Sequence, residues 1–586
     1  MNYNLNQISG KDEKKSTFAV LKKLLQLIAH EQRRLLFAFV AMLINSALLL
    51  VSPLIIGHTI DNYITTKQFD GVLLYSGILL VMFLITLFTG YLQTKLMGGV
   101  GQRMLYTLRN AIFSKLQELP VSFFSQNKAG DLISRVNNDT DKVNQFFSQS
   151  LMQFLSSLFT MLGSGVFLLL INFKLGTATL GPAVLILLFT VLASAWVKRK
   201  NAVNLKSVGS LSAGIQESLN NFKVIIAFNR RDYFRKRFEE TNRQNYNTAI
   251  AAGIANNIFV PVFGLFSSAA QLVVLLYGIQ LIAAGEFTMG LLISYLSYAV
   301  TFYNPLRQLA ALWSSLQVAL AAWDRISQIL SLENDLVIVK DDNSPHSDAL
   351  LSFRNVHFAY AGGQEILHNI SFDLQKGKTY ALIGPTGGGK TTTASLMARL
   401  HDTTSGTVLL DGKDIRSFTA EERSSRIGFI LQEPFLFSGT VKDNILYSNS
   451  AYKDYTNAQL EAVIKAAHLE DLLVLFDKGL ETEVSSGADN ISLGQKQLIA
   501  FMRAVLRNPK LLILDEATAN IDTVTEQLLS DILNKLPQET TLVIIAHRLN
   551  TIENADEIYF VNSGEVIKAG TMDHAMNMLI KGKRSS

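Results

Sequence analysis

Apolar and polar positions divide this chain into two halves of different character. Six segments, near 35–56, 72–92, 146–171, 175–197, 259–284 and 287–306, are almost free of charge. Each is close to or above the roughly 20 residues that a helix needs to cross a bilayer. One such segment can be a buried soluble helix; six in succession predict a membrane domain. The intervals between them are unequal. Those at 59–71, 172–174 and 285–286 are short, whereas 95–145 and 198–258 are long, polar and helical in pattern. The second long interval is rich in Lys and Arg (Lys198, Arg199, Lys200, Arg230, Arg231 and Arg235 among them), and the short ones hold only Lys67 and Lys174. By the positive-inside bias the long loops face the cytosol, and six crossings return the C-terminus to the same side.

Ahead of the first span, residues 1–15 form a polar tail that is expected to be disordered. From Ser16, an N-cap residue, Phe18, Leu21, Leu25 and Ile28 share one helical face while Lys22, Lys23 and Gln26 lie away from it. That pattern predicts a short helix along the membrane surface, or alternatively an extension of the first span. The transmembrane domain is thus placed at 16–330. A polar stretch punctuated by Pro345 reads as a linker over 331–349. Residues 350–586 alternate like an ordinary soluble α/β domain, beginning with a strand pattern at 351–360. The fold class expected is a six-span helical membrane domain followed by an α/β domain.

Composition refines this only a little. A net charge of +5 over 586 residues is modest and gives no ground for a nucleic-acid partner. The absence of cysteine excludes a disulfide framework and a thiolate zinc site. The first apolar segment is long and follows a mixed-charge tail, so no cleavable signal peptide is expected.

The chemistry gathers in the second half. Gly384, Pro385, Thr386, Gly387, Gly388, Gly389, Lys390 and Thr391 follow the apolar run 380–383 and precede a helical stretch that begins at Thr392. This is the P-loop spacing in its required strand–loop–helix setting. Glycines let several N–H groups face one phosphate chain at the positive end of the following helix. Lys390 can reach the β- and γ-phosphates of ATP, and the Thr391 hydroxyl can bind Mg²⁺. Further on, 510–514 is a buried-strand pattern that delivers Asp515 and Glu516. An Asp at that place holds Mg²⁺ opposite the loop threonine, and Glu516 can polarise an attacking water as general base. Another buried-strand pattern, 541–546, ends in His547, which in this setting is assigned a contact to the γ-phosphate.

Together these features resemble a half-transporter of the ABC exporter family, over nearly the whole chain. The resemblance implies that adenine stacks on Tyr360, and that Gln432 senses Mg²⁺ and water and faces the membrane domain. It places Ser492, Gly494 and Gln495 in the family signature, and Asp522 in a loop that links two active sites. It assigns 119–125 with 130–135, and 216–225, to the coupling regions that pass ATPase motion to the spans. The signature departs from the pattern: Leu493 replaces a glycine, the stretch 482–487 lacks the usual glycine–glutamate pair, and Leu498 replaces an arginine. A side chain at a phosphate-facing glycine should weaken that contact. An impaired signature beside intact Glu516 and His547 resembles the catalytically intact member of a heterodimeric exporter; a homodimer is the alternative.

The implied function is ATP-driven export of a hydrophobic or amphipathic compound, a drug or lipid, across a bacterial cytoplasmic membrane by alternating access, with both termini cytosolic. A nucleotide-gated channel or regulatory subunit, and an importer on the same fold, are the alternatives. No acidic or basic residue lies well inside the six segments, which disfavours ion coupling. Tyr295, Tyr298 and Phe302 form an aromatic stripe on the last span, read either as helix packing or as a surface for apolar compounds.

Overall fold

The computed structural model describes residues 3–5, 31–334, 336–340, 348–447, 449–485, 490–515, 523–545 and 555–570, with 574 and 578. Contacts divide the chain into two compact units. One comprises 11–117 and 130–331; the other comprises 1–10, 118–129 and 332–586. The surface helix expected at 18–28 lies outside the described residues.

The first unit is helical. Its long helices are α1 (Gln32–Thr59), α2 (Phe69–Glu118), α3 (Leu151–Ile171), α4 (Phe173–Asn220), α5 (Arg231–Asn257), α6 (Phe259–Ala283) and α7 (Met289–Leu330). Among the described residues five helical stretches, Gln32–Ile64, Phe69–Glu118, Ala129–Ile171, Phe173–Asn220 and Arg231–Ala283, are long and apolar enough to cross a membrane. They carry the first five expected spans, and their continuations make the long polar intervals helical. The sixth expected span opens α7, which has the length at 42 residues but is diluted by serines and tyrosines.

Those polar groups of α7 are committed to neighbouring helices. Ser294 Oγ donates to Pro53 O at 2.6 Å, Tyr295 OH to Leu168 O at 2.8 Å, and Tyr298 OH to Leu50 O at 2.6 Å. Tyr295 and Tyr298 are fully buried, and the Tyr298 ring stacks on Phe167 with centroids 5.1 Å apart. The stripe of Tyr295 and Tyr298 is therefore packing. Below these contacts, buried Arg135 donates to Asp131 and to the carbonyl of Arg325, and Arg325 pairs with both Asp131 and the buried Asp139.

The second unit is α/β. Its strands are β1 (Leu351–Ala359), β2 (Glu365–Leu374), β3 (Thr379–Ile383), β4 (Ser405–Leu410), β5 (Lys413–Asp414) and β6 (Ile427–Ile430). They continue with β7 (Gly439–Thr440), β8 (Glu483–Val484), β9 (Leu511–Asp515), β10 (Thr541–Ile545), β11 (Glu557–Asn562) and β12 (Glu565–Lys568). An antiparallel sheet runs β2-β1-β4-β5, and a six-stranded sheet runs β12-β11-β3-β10-β9-β6. In the larger sheet only the β11–β12 pair is antiparallel. Strands β9 and β10 are buried along their whole length, as parallel strands covered on both faces must be. Ile545 of β10 pairs with Leu382 on one side and Asp515 on the other. That register brings the carboxyl ends of β3, β9 and β10 to one edge, where open α/β sheets bind ligands.

This unit also holds a short helix, Val121–Gln126, entered from the extended Pro120. Its Phe123 is fully buried and meets the ring of Tyr3 edge-on at 6.2 Å. Tyr3 and Leu5 are themselves buried, at 0% and 1% exposure. Tyr3 N donates to Gln126 Oε1, Leu5 N to Asn127 Oδ1, and Tyr3 OH to the carbonyl of Glu333. The expectation of a disordered tail is thus corrected for residues 3–5. They carry two apolar side chains and meet amide partners too distant in sequence for a local pattern to reveal. The described part of 331–349 has neither helix nor strand, and it is tied down by hydrogen bonds from Arg399 to Val337 O and from Val339 to Arg416 O.

Candidate active site

Strand β3 delivers the loop that the sequence singles out. Gly384, Gly387 and Gly389 have φ of 149°, 82° and 109°, a region that costs side-chain-bearing residues strain. A Cβ on Gly384 would lie 1.9 Å from the carbonyl oxygen of Val561 and one on Gly388 2.6 Å from the same atom. Backbone and backbone therefore touch here, and only glycine fits. Pro385, Thr386 and Gly387 form the exposed crest, whereas Gly388, Gly389 and Lys390 are buried. Gly389 caps α8 (Lys390–Met397), so the first N–H groups of that helix face the loop.

Lys390 Nζ donates to Gly384 O at 2.8 Å and Pro385 O at 3.0 Å. Thr391 Oγ1 donates to Asp515 Oδ1 at 3.3 Å. The sequence thus brings together, from positions 124 apart, a hydroxyl and a carboxylate, both hard oxygen donors of the kind Mg²⁺ prefers. Asp515 is only 3% exposed. Thr392 is buried, and its hydroxyl lies 3.4 Å from Tyr360 OH. Tyr360 is 40% exposed and stands edge-on to Phe358 and His401. The two rings brace Tyr360 beside α8.

Gln432 sits exposed after β6, and its carbonyl accepts a hydrogen bond from Gln497 Nε2 at 3.5 Å. Ser492 caps α9 (Leu493–Val505) with a capping box: Gln495 N donates to Ser492 Oγ, and Ser492 N donates to Gln495 Oε1. Gln495 Nε2 reaches Leu475 O at 2.9 Å. Leu493 and Gly494 are the first two residues of this helix, and neither has positive φ. A glycine is not needed at 493 for the backbone, and the Leu493 side chain is 38% exposed without strain. Leu498, where the family pattern has arginine, is 1% exposed and packs in the apolar core with Ile464, Leu472 and Phe476.

Glu516, Asp522 and His547 lie outside the described residues; β9 and β10 lead into the first and last of them. Sequence reasoning overlooked the support beneath the loop. The β11–β12 turn passes Gly564, whose N–H donates to Gly388 O at 3.3 Å, while Gly564 O accepts from His368 N. Its signal was the Asn562-Ser563-Gly564 turn between two strand patterns.

Comparison with known proteins agrees with this geometry. The profile of the ABC transporter transmembrane region matches residues 35–306, and that of the ABC transporter matches 367–519. The chain is 32% identical over 566 residues to an uncharacterised ABC transporter ATP-binding protein, YfiC, of Bacillus subtilis (strain 168), covering 95% of this chain and 92% of that one. It is 32% identical over 490 residues to a fatty acid ABC transporter ATP-binding/permease protein of Mycobacterium bovis, covering 84% and 77%. It is 29% identical over 574 residues to a multidrug resistance ABC transporter ATP-binding and permease protein of Lactococcus lactis subsp. cremoris, covering 96% and 95%. With a multi-pass helical domain and an ATP-hydrolysing α/β domain in one polypeptide, the chain belongs to the ABC transporter family, as an exporter-type half-transporter.

Proposed function

We propose that this chain, paired with a second half-transporter, uses ATP hydrolysis to export an apolar or amphipathic compound from the cytosol. The observation that carries the reading is the convergence of Thr391 Oγ1 and Asp515 Oδ1 beside the lysine of a glycine-built loop. Phosphate oxygens would take the place of Gly384 O and Pro385 O at the Lys390 ammonium, and would accept from the N–H groups of 387–392. Tyr360, partly exposed, offers its ring to adenine. Thr391, Asp515 and Gln432 are the residues that would hold Mg²⁺, which when bound neutralises charge on the phosphoryl oxygens. Glu516 accepts a proton from the attacking water, and His547 steadies the γ-phosphate. Ser492, Gly494 and Gln495 serve the nucleotide held by the partner, and Asp522 links the two sites.

Both termini face the cytosol in this reading, because the basic interval 198–258 does. The names of the relatives, a fatty acid transporter and multidrug transporters, support an apolar cargo in a bacterial cell membrane. An intact general base beside a leucine-bearing signature favours a heterodimer. The experiment is Glu516→Gln in the reconstituted pair. ATP binding should persist while turnover falls at least about a hundredfold, and dye uptake into inverted vesicles should stop with it. Hydrolysis near the unmodified rate would reject the assignment.

A further inference from the structure

Within the helical unit lies a cavity of about 640 Å³ between α1, α2, α3 and α7. Its lining has no charged residue and no aromatic ring. Five carboxamides face it instead: Gln93, Gln149, Gln153, Asn304 and Gln308. Their spacing is helical. Gln149, in the π-helical turn Phe146–Ser150, and Gln153, in the first turn of α3, are four apart, and Asn304 and Gln308 repeat that interval on α7.

Polar side chains between membrane helices often serve as glue, and some here do. Thr160 and Thr301 donate to carbonyls of their own helices, Ser156 meets Ser46 at 3.0 Å, and Ser157 reaches Gln308 at 3.4 Å. The side-chain amides of Gln93, Gln149, Gln153 and Asn304 have no hydrogen bond among the described residues. Gln149, Gln153 and Asn304 are exposed and Gln93 is half-buried, so these amides are open to whatever enters the space. Four such groups turned to one cavity form a wall that can donate to and accept from an occupant.

The chemistry of the wall restricts that occupant. A lasting cation would need a carboxylate or an aromatic face, and an anion would need Lys or Arg; neither is present. Each carboxamide offers donors and an acceptor together, which matches the N–H and C=O of an amide-bearing ligand. Met97 and Met152, both buried, add adaptable apolar surface for its side groups. We propose that this cavity binds the transported compound and that this compound is neutral and amide-bearing with apolar side groups, in the manner of a capped hydrophobic peptide. The proposal rests on the export reading above and narrows its cargo.

The test measures nucleotide-free binding to the purified pair of half-transporters. The probes are acetyl-Leu-Leu-Leu-amide, the cation tetraphenylphosphonium and the anion laurate. The capped peptide should bind at least tenfold more tightly than either ion. Combined Gln153→Leu and Asn304→Leu should weaken the peptide about tenfold or more, as the loss of two hydrogen bonds requires. Gln153→Glu should raise affinity for tetraphenylphosphonium, which also shows that a folded cavity faces its ligand. Unchanged peptide affinity in the double variant, or tighter binding of either ion by the unmodified pair, would overturn the proposal. Binding as expected together with hydrolysis indifferent to Glu516→Gln would leave the site standing and overturn the export reading instead.

Discussion

Glu557 stands on β11, next to the strand that carries the phosphate loop, and accepts from Lys378 at 3.1 Å and Lys568 at 2.9 Å. Burial pushes its carboxyl up, but the two ammonium groups together outweigh burial and hold it below its ordinary value. A carboxyl with a folded pKa below its unfolded one stabilises above the unfolded value, near 4.3, and loses that stabilisation as pH falls through the folded value. Both lysines are half exposed, so the pair contributes below about 1 kcal/mol. Glu557→Gln should leave denaturant stability at pH 7 nearly unchanged and flatten its fall below about pH 4.3. An acid limb identical to that of the unmodified protein would contradict this. At this scale the sequence was informative where spacing encodes geometry: glycines at 384, 387 and 389 announce the left-handed turns they adopt. It says less where one residue type serves two purposes. Leu498 fills a core position, and Leu493 opens a helix without positive φ, so any effect on a facing phosphate comes from its side chain and not from the backbone.

Elements were legible in proportion to how local their causes are. Strands β9 and β10 are uninterrupted apolar runs bounded by polar residues, and both were found. Helix α7 was placed, yet its serines and tyrosines make sense only beside the carbonyls of Pro53, Leu168 and Leu50 on other helices. The contact of Tyr3 and Leu5 with helix Val121–Gln126 had no local signal whatever, because its partners are more than 120 positions away. It places three chain segments, 3–5, 121–127 and Glu333, in one hydrogen-bonded group. Tyr3→Ala would remove a buried ring and one hydrogen bond, a local loss of about 3–5 kcal/mol by analogy with other aromatic truncations. The expected readout is faster amide exchange across 121–127, with the six-stranded sheet unaffected. Equal exchange in the two proteins would show that the contact does not order the short helix.

At the scale of the whole molecule, the helical unit leaves many leucines and phenylalanines exposed, whereas the α/β unit buries most of its own. What hydropathy could not reveal is that 118–129 belongs with the ATPase domain, because chain order places it among the spans. A half-transporter with a leucine in its signature should depend on its mate. Purified alone, the chain should hydrolyse ATP at least about tenfold more slowly than after co-purification with a second half; rapid turnover by a homogeneous dimer would argue for self-sufficiency. The loop at Gly384–Lys390 has a bearing on all of this. Its ammonium is already parked on two neutral carbonyls, and its backbone is already braced by Val561 and Gly564. The entropy of shaping a phosphate cradle is thus spent during folding, so nucleotide capture exchanges ready-made contacts rather than organising a floppy segment.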